Sequence, residues 1–578
     1  MVGQLLQRGM IVVFSCVMSC GVFSQLQAQD AKSWEKEGEG EIKDVEIEIV
    51  KDRKITLPRA NRNFEKVPPR PYEPIKPSIT YELKTFKFTT PEYKPSVRPL
   101  KLKGEELSKI YGNYVSAGLG NYASYFVEGS ITTKRDKNTF LGAHFYNRTY
   151  GTGPVDGKNS AASTTNLQVF AKSMSNDVTI SGEANYENRG GYFYGYSPGF
   201  TGGRDDIRQT YTQFGLNAGI ENTKPSDFNY LLKAGYSNLK DHYSATEDEV
   251  SLSFNSNYNF TETSKFILNA DYFLISRKDL LLNSDPRHLF RIKPAYQFVP
   301  FENLTITVGV NIAIQKDPNN NSKSFHAYPH IKAHYQLSPS LEAYGIVTGD
   351  MDKVNLHTLS AENMWLDSGI PAINTNRSLE LQGGLKGKVG RKFSIGVGFS
   401  VAALKNYYFY LNRSSVSGIL VSINPNDPII PVVDKFVVLY DGNTRRFNPF
   451  AEISFAHSET ASFSLRADYF SYSPKNYNEV YNRPSYRISA NSKFNIFDKI
   501  VLEGGFIAQG GMRSILPGTT NGYTIDPAFD LNMKTRYFIS KQVSAFVQLN
   551  NILSSNYPIY QNYPARGFQA LVGASWSF

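Results

Sequence analysis

From about Tyr111 to its last residue, the chain repeats one pattern in which apolar and polar side chains alternate. The stretches 463–469 and 543–550 both show it. In the stretch 304–315, LTITVGVNIAIQ, the apolar positions are Leu304, Ile306, Val308, Val310, Ile312 and Ile314. A period of two residues is the repeat of a β-strand. Because the pattern continues over most of the chain, it predicts one very large sheet or several all-β domains.

The lengths of the connections between the alternating stretches favour a single sheet. About ten short polar turns alternate with about eleven longer loops rich in Gly, Tyr and Asn. This alternation is typical of outer-membrane barrels, which have short periplasmic turns and long external loops. The sequence therefore predicts an all-β fold, a transmembrane antiparallel β-barrel of about 22 strands over residues 109–578. Two loops, 188–206 and 405–445, are long enough to contain additional strand pairs.

The first residues of the chain have the features of an export signal. Residues 1–29 are predicted to be a signal peptide, because an apolar run from Met10 to Phe23 precedes a plausible cleavage site near Ala28. Both cysteines of the chain, Cys16 and Cys20, lie in this run. The mature protein would then contain no cysteine, which suits an exported chain that needs no disulfides.

Residues 30–108 differ in composition from the barrel region. An acidic stretch is followed by a basic stretch that is rich in proline. Proline favours extended polyproline conformation, so this basic stretch of about 42 residues is predicted to reach roughly 130 Å at ~3.1 Å per residue and to make the segment a semi-rigid periplasmic arm. The arm could dock on a periplasmic or plug-like partner protein, or it could be a disordered leader.

The net positive charge of the chain can be explained without a nucleic-acid partner. The formal net charge is +10, but no nucleic-acid recognition motif accompanies it. Basic residues on turns, in a lumen or beside phosphorylated lipids account for the charge of an exported barrel. No phosphate-binding loop, HExxH motif or nucleophile elbow is found. We therefore expect no enzyme activity, no cofactor, no metal and no nucleic-acid partner.

The chain ends on one more alternating strand. One face of residues 568–578 carries Phe568, Ala570, Val572, Ala574, Trp576 and Phe578. We expect this face to contact outer-membrane lipid, with Trp576 and Phe578 at the periplasmic interface. The strand resembles the assembly signal that outer-membrane barrels present to the barrel assembly machinery, with Phe568, Trp576 and Phe578 as its residues. It should pair with residues 112–120, because an open edge in lipid leaves backbone groups unpaired.

The last two strands, Phe546–Phe578, resemble the C-terminus of TonB-dependent receptors. In that family an aromatic-led strand runs into Asn-Leu-Phe-Asp, followed by a Tyr, a Tyr-Pro-x-x-Gly turn and a strand ending in Phe. Ser554 stands here where the family has Asp. The matching residues are Asn550, Asn551, Ile552, Leu553, Tyr557, Tyr563, Pro564, Gly567 and Phe568. The resemblance implies a receptor-type barrel in the outer membrane with a transport-like function.

The resemblance does not extend to the N-terminal region. Such receptors carry a folded plug domain of well over a hundred residues, whereas only the Pro-rich segment 30–108 precedes this barrel. We therefore expect a receptor-like or transport-like channel that lacks its own plug and works with a partner protein. The alternative is a structural or assembly subunit of an envelope complex, with the barrel as anchor and the arm as docking segment. The lumen of so large a barrel would hold water, a loop, the arm or another protein.

Several charged side chains are candidates for lining the lumen. His326, His330 and His334 share one strand face with Lys332. Successive histidines would lie ~13 Å apart at ~3.3 Å per residue, too far for one metal ion. A polar lining is the simpler interpretation, and a pH-sensitive pathway is the alternative. The other candidates, expected to form cross-strand pairs, are Arg466, Asp468, Asp530, Lys534 and Arg536.

Two of the long loops offer a different kind of surface. Residues 189–200 and 471–484 are dense in Tyr, Asn and Gly. This composition suits stacking on sugars or adaptable protein contacts. Some of these tyrosines would also be explained by the aromatic girdle at the base of the loops.

Overall fold

The computed structural model describes residues 111–578, except 134–135, 197–201, 280–284, 319, 321–322, 416–433, 458–459, 517–518 and 520. The chain divides into the units Met1–Leu102 and Lys103–Phe578, and all described residues belong to the second. The predicted signal peptide and Pro-rich arm lie outside the described residues.

The described region consists almost entirely of β-strands. Its one α-helix, α1, spans Leu356–Glu362, and short 3-10 turns occur at Gly157–Ser160, Asp205–Ile207 and Arg413–Ser415. The strands are β1 (Asn113–Gly120), β2 (Ser124–Thr132), β3 (Thr139–Tyr150), β4 (Ala162–Met174), β5 (Val178–Tyr192), β6 (Arg208–Asn222), β7 (Phe228–Asp241), β8 (Thr246–Thr261), β9 (Ser264–Lys278), β10 (Arg287–Phe301), β11 (Leu304–Lys316), β12 (Phe325–Ser338), β13 (Leu341–Asp352), β14 (Thr375–Val389), β15 (Phe393–Lys405), β16 (Tyr407–Asn412), β17 (Phe436–Asp441), β18 (Thr444–His457), β19 (Ala461–Tyr469), β20 (Ser471–Ser473), β21 (Tyr486–Ile496), β22 (Ile500–Gly510), β23 (Arg513–Ile515), β24 (Gly522–Thr524), β25 (Ala528–Phe538), β26 (Val543–Asn550), β27 (Pro558–Tyr560), β28 (Tyr563–Pro564) and β29 (Gln569–Ser577).

Twenty-three of the described strands form one closed antiparallel sheet. Strands β19 and β20 pair with successive parts of β18 and together occupy one position in the wall, so the barrel has 22 strand positions. The first strand, β1, pairs with both β2 and the last strand, β29. The predicted barrel of about 22 strands is therefore confirmed, as is the predicted pairing of the final strand with residues 112–120.

The two ends of the barrel differ in their connections. At one end, which we call the turn end, consecutive strands are joined by short turns such as 262–263, 302–303 and 339–340. At the other end, the loop end, the connections include 353–374 and 406–443. The second of these contains the hairpin of β16 and β17, so the predicted additional pairing in this loop is confirmed.

The wall has an apolar outer face and a polar inner face. On β12, Ile331 and Tyr335 are exposed, whereas His330 and His334 point to the opposite side and bond to polar groups of β13. The same alternation exposes large apolar side chains on most strands, which is the surface that lipid covers in a membrane barrel. No helix in the described part of the chain is long and apolar enough to cross a membrane.

The seam between β1 and β29 is tightly packed. Gly118 and Gly573 are directly opposite each other, and the backbones of Asn113 and Phe578 exchange hydrogen bonds of 3.2 and 3.0 Å. Trp576 is half exposed and its ring stacks on that of Phe578 at 4.2 Å between centroids. Phe568, at the loop end of the last strand, is also exposed. These placements agree with the outward face expected for Phe568 and Trp576, whereas their role in assembly stays a prediction.

Candidate functional site

The connection between β13 and β14, residues 353–374, leaves the wall and crosses the loop end of the barrel. We call it the inserted segment. It bonds to charged side chains on four other strands of the wall: Arg189 of β5, Glu247 of β8, Arg277 of β9 and Arg287 of β10. Because β5 and β13 are separated by seven intervening strands, the segment reaches β5 only across the barrel mouth.

Polar side chains of the segment and of the wall form hydrogen bonds at the start of helix α1. Asn355 caps α1, since its Oδ1 accepts hydrogen bonds from the backbone N–H and the hydroxyl of Thr358 at 2.8 and 2.6 Å. The carboxylate of Glu247 accepts from the backbone N–H of Leu356 at 2.9 Å. Glu249, two residues along β8, accepts from Asn355 Nδ2 at 2.7 Å. The two wall carboxylates therefore hold the first turn of the helix, whose free N–H groups favour negative charge.

Arg287 joins both ends of the inserted segment to the wall. Its Nη1 donates to the carbonyl oxygen of Val354 at 3.0 Å, and its Nη2 donates to Oδ1 of Asn374 at 2.9 Å. Its Nε lies 3.1 Å from a carboxylate oxygen of Asp317, and both side chains are almost fully buried. A buried guanidinium is tolerated when it is paired and bonded in this way. Arg287 thus bonds to the inserted segment both where it leaves β13 and where it enters β14.

Two further arginines hold the middle of the segment. Arg277 donates to the carbonyl oxygen of Ile370 at 2.6 Å and pairs with Asp279 at 2.6 Å. Arg189 donates to the carbonyl oxygen of Ser360 at 2.7 Å and to its hydroxyl at 3.1 Å. Both arginines therefore satisfy backbone or side-chain acceptors that a loop buried away from water would otherwise leave unpaired.

Aromatic side chains of the inserted segment and of two other loop-end connections pack together at the barrel mouth. The ring of Trp365 lies 4.3 Å from that of Tyr563 and 5.6 Å from that of Tyr194, and its indole N–H donates to the carbonyl oxygen of Tyr192 at 3.0 Å. We call the packed layer that these connections form with the β16–β17 hairpin the cap. Its buried apolar members include Phe193, Tyr194, Val354, Leu359, Trp365, Leu366, Phe436, Val438 and Tyr563. The cap gives the loop end an apolar core of its own.

The hairpin of β16 and β17 fastens the far side of the inserted segment. Glu362, the last residue of α1, accepts hydrogen bonds from the hydroxyls of Tyr408 and Tyr410 at 2.8 and 3.0 Å and forms an ion pair with Arg483. Burial raises the pKa of both tyrosines, so they remain neutral donors. Burial, with the Arg189 guanidinium, lowers the pKa of His357 in the same helix. The segment is therefore held by hydrogen bonds from neutral tyrosine hydroxyls and by charged side chains that have oppositely charged partners.

The structure brings three of the sequence-predicted lumen residues together around one cavity. His330, Lys332 and His334 line a space of about 670 Å³ against strands β9 to β14. Nδ1 of His330 lies 3.1 Å from the hydroxyl of Thr348, and Nδ1 of His334 lies 2.7 Å from a carboxylate oxygen of Glu342. Each histidine thus has its own partner on β13. Within the described residues, no group of three or more side chains is arranged to hold a metal ion.

His326, Arg466 and Asp468 lie apart from that cavity. The His326 ring stacks on Tyr328 at 6.1 Å and its Nε2 lies 2.8 Å from the carbonyl oxygen of residue 323. Arg466 donates to the carboxylate of Asp468 on its own strand at 2.8 and 2.9 Å. It also reaches across to Glu452 of β18 at 3.0 Å. The expected cross-strand pair therefore exists for Arg466, together with a pair along the strand.

The last three candidates have other neighbours. Asp530 accepts a hydrogen bond from the hydroxyl of Tyr557 at 3.0 Å. The ammonium of Lys534 lies 5.0 Å from the centroid of the Phe546 ring. For Asp530, Lys534 and Arg536, no ion pair is found among the described residues, so the cross-strand pairing expected of them is not seen. Their part in lining a pathway stays a prediction.

The residues that hold the inserted segment were not found from the sequence. Glu247, Arg277 and Arg287 read as ordinary polar positions of alternating strands, and their contacts depend on the segment folding back across the mouth. One signal was available. Between the alternating stretches, the residues around Trp365 include several other apolar side chains, which is unusual for a loop in water and indicates burial.

We expect Arg287→Ala to loosen the inserted segment without opening the barrel wall. The substitution removes the guanidinium that pairs with the buried Asp317 carboxylate and frees two acceptors, a loss that typically costs about 3–5 kcal/mol. The measurement is the rate at which proteinase K cleaves within residues 353–374 of the detergent-solubilised protein, located by mass spectrometry. Arg466→Ala is the matched control, because Arg466 makes no recorded contact with the segment. Equal cleavage rates for the two variants would contradict the anchoring role.

Comparison with known proteins identifies the fold. No protein-family model matches the sequence, and no curated protein matches it. The siderophore receptor PirA from Acinetobacter baumannii is 11% identical with a TM-score of 0.62, over 82% of this chain and 81% of that chain. The FrpB iron transporter from Neisseria meningitidis is 10% identical with a TM-score of 0.62, over 82% of both chains. The pyoverdine outer membrane receptor FpvA from Pseudomonas aeruginosa PAO1 is 13% identical with a TM-score of 0.61, over 82% and 79%.

The chain has the barrel fold of these outer-membrane receptors. The resemblance to TonB-dependent receptors seen in its last two strands is thus confirmed for the fold. At 10–13% identity the likeness extends to the architecture alone. Within this receptor-type barrel, the cap described above is built by this chain's own loops.

Proposed function

We propose that the protein is an outer-membrane channel of the receptor or transport type that is closed at its loop end by its own cap. The receptor-type barrel fold supports this proposal, as does the outward apolar face of the strands. The single observation that carries it is the insertion of residues 353–374 across the mouth, held by charged side chains of β5 and β8 to β10.

The proposal also assigns an orientation. The loop end faces the outside and the turn end faces the periplasm, as in other barrels with short turns and long loops. The N-terminal segment 30–108 would then extend in the periplasm and dock on a partner protein. The barrel assembly machinery would insert the barrel, and lipid would cover its outer face. The protein would act without enzymatic chemistry and without a cofactor.

Opening the channel would require the inserted segment to move. The hydrogen bonds that hold it to the wall are directional and join it to charged side chains. Such a set of contacts can be exchanged as a unit for contacts with a ligand or partner, whereas the wall of the barrel keeps its own hydrogen bonds. Opening would therefore break contacts of the cap, whereas the hydrogen bonds between the strands of the sheet would remain.

Planar-bilayer conductance of the purified protein, with and without residues 30–108, tests the proposal. We expect low conductance from both forms, because the cap lies in the barrel and not in the N-terminal segment. A large open pore in both forms would contradict closure by the cap. A pore that opens only on removal of residues 30–108 would identify that segment as the plug. Stable co-purification of envelope proteins with a barrel that never conducts would favour the structural or assembly subunit.

A further inference from the structure

The outward face of the barrel wall carries its lysines and arginines at one end only. On the described wall strands these side chains are Arg208 of β6, Lys240 of β7, Lys278 of β9, Lys316 of β11, Lys405 of β15 and Arg445 of β18. Each lies an even number of residues from exposed apolar side chains of its own strand, as Arg208 does from Phe214 and Leu216. All six are exposed, and each is one of the last two residues of its strand at the loop end.

The turn end of the same strands has a different outer surface. Near this end the outward positions include Ile220 of β6, Phe228 of β7, Phe266 of β9 and Phe393 of β15, all of them exposed. Among the wall strands that the structure describes, no lysine or arginine faces outward there. The outer surface is therefore apolar over most of its height and cationic at the loop end, so the two leaflets of a membrane would meet different surfaces.

The outward cations lack the carboxylate partners that cations inside the same end have. Arg277 pairs with a carboxylate at 2.6 Å and Arg287 with another at 3.1 Å. Within the described part of the chain, none of the six outward cations forms an ion pair. One outward carboxylate, Asp248 of β8, lies at this end, and it accepts hydrogen bonds from the hydroxyl of Tyr236 and from Asn238 Nδ2. The positive charge of this surface is thus available to anionic groups of the surroundings.

Two of the outward cations are placed to share one anion. Lys240 and Lys278 are both register partners of Thr246, which lies on β8 between them. At ~4.8 Å between neighbouring strands, the backbones of the two lysines are ~10 Å apart. Their flexible four-carbon stems can bring both ammonium groups over the hydroxyl of Thr246. Lys405 and Arg445, on the neighbouring strands β15 and β18, are a second set of this kind.

An apolar groove on the outer face begins near the first of these sets. Its volume is about 590 Å³, and it crosses strands β4 to β8. Small side chains such as Ala218 and Ala234 lie in it beside larger ones such as Tyr236 and Leu252. Tyr236 is four residues from Lys240 along β7, so the groove starts ~13 Å from that cation at ~3.3 Å per residue. A hydrocarbon chain attached to an anion at the lysines could therefore extend into the groove.

We propose that the outward cations of the loop end bind the phosphate groups of anionic lipids in the leaflet around this end. Lys240, Lys278 and Thr246 form the site for one such lipid, and an acyl chain of this lipid lies in the groove. The ligand is a phosphorylated lipid because its headgroup offers charged oxygens to ammonium and hydroxyl donors, whereas its chains meet the apolar wall.

The lipid site goes beyond the proposed channel and does not depend on conduction. It lies on the outer side of strand ends that fasten the inserted segment from inside. Thr246 is followed in the chain by Glu247, which accepts a hydrogen bond from the first turn of α1. Lys278 likewise follows Arg277, which bonds to Ile370 of the segment. A bound lipid would therefore restrain the same strand ends that hold the cap.

Lipid binding to the full chain tests the proposal. The protein is purified in lauryldimethylamine oxide and freed of lipid, and native mass spectrometry measures its affinity for dimyristoylphosphatidic acid and for dimyristoylphosphatidylcholine. The chains of the two lipids are identical, but the phosphate of the second is neutralised by its own choline. We expect phosphatidic acid to bind about fivefold more tightly or better. The double variant Lys240→Gln/Lys278→Gln should weaken its binding on the order of tenfold and leave phosphatidylcholine unaffected.

The matched control is Lys386→Gln/Lys388→Gln, which removes the same charge from positions of β14 that alternate with the exposed Leu385 and Val389. It should leave both affinities unchanged. Heat-modifiable migration confirms that each variant forms the barrel. The variant Lys405→Gln/Arg445→Gln at the second set is measured in parallel and should also weaken binding of phosphatidic acid, so misfolding of one site variant leaves the other informative.

The groove has its own test. Ala234→Phe fills it and should weaken binding of dimyristoylphosphatidic acid several-fold, whereas dihexanoylphosphatidic acid, whose short chains do not reach the groove, should bind as before. Equal effects on the two lipids would contradict the position given to the acyl chain.

Three results would overturn the lipid site: equal affinity for phosphatidic acid and phosphatidylcholine, an equal loss in the outer and inner lysine variants, or complete displacement of the lipid by inorganic phosphate at roughly 10 mM, which would show that the free anion is the ligand. A protein that binds the lipid as expected but never conducts would contradict the proposed channel and leave the lipid site standing.

Discussion

Replacing residues 354–373 by a short Gly-Ser linker is expected to turn a closed barrel into an open pore, with conductance rising on the order of tenfold or more. Asp352 and Thr375 are partners in the register of β13 and β14, so a few residues suffice to connect them. The pairs that form the wall on either side stay as they are. What is lost is the only described connection that bonds to Glu247, Arg277 and Arg287 together.

The measurement is single-channel conductance in planar bilayers at matched protein quantity. Heat-modifiable electrophoretic migration shows whether the shortened protein still forms the barrel, and only folded protein is compared. Arg287→Ala provides an intermediate case, since it should produce brief openings with the segment still present. Unchanged low conductance from a folded barrel without residues 354–373 would show that another part of the chain closes the lumen.

The second large effect is expected at the seam of the barrel, where Gly573→Ala should sharply reduce the yield of folded protein. A Cβ at Gly573 would lie 2.2 Å from the carbonyl oxygen of Ala117 and 2.5 Å from Cζ of Phe546. The first neighbour is backbone and cannot turn aside, so β1 and β29 must separate locally. Overpacking typically costs about 1–3 kcal/mol, and seam hydrogen bonds that are broken in lipid add to that cost because water does not replace them.

Gly505→Ala on β22 is the control, because a Cβ there meets its nearest neighbour, Oδ1 of Asn491, at 3.9 Å. The quantity compared is the fraction of each protein that reaches the outer-membrane fraction in the heat-modifiable form. We expect the Gly505 variant to match the unsubstituted protein and the Gly573 variant to fall well below it. Equal folded fractions would show that the seam can widen without cost.

The sequence predicts the wall of this protein well because a strand is a local pattern. Leu304 to Gln315 alternates with a period of two, and β11 spans Leu304–Lys316. The final strand could be paired with the first because a sheet in lipid must close on itself. To apply that rule, only the first and the last strand need to be located in the sequence. The observed pairs between them include Trp576 with Val115.

The cap could not be predicted in the same way. The hydrogen bond between Glu247 and Leu356 joins residues 109 positions apart, and the bond between Arg189 and Ser360 joins residues 171 apart. In the sequence, Glu247 and Arg189 are polar positions in alternating strands and resemble many others. Which of them meet a loop depends on the path that the loop takes through the mouth, and alternation says nothing about that path.

The position of Trp365 also gives the molecule an optical reporter. The chain has three tryptophans, of which Trp365 is enclosed by the aromatic rings of the cap and Trp576 is half exposed on the outer face. In a Trp576→Phe variant without residues 30–108, Trp365 would be the sole indole of the mature barrel. Movement of the inserted segment would bring that indole into water and shift its fluorescence emission to longer wavelength, so the state of the mouth could be read by light in protein that carries no label.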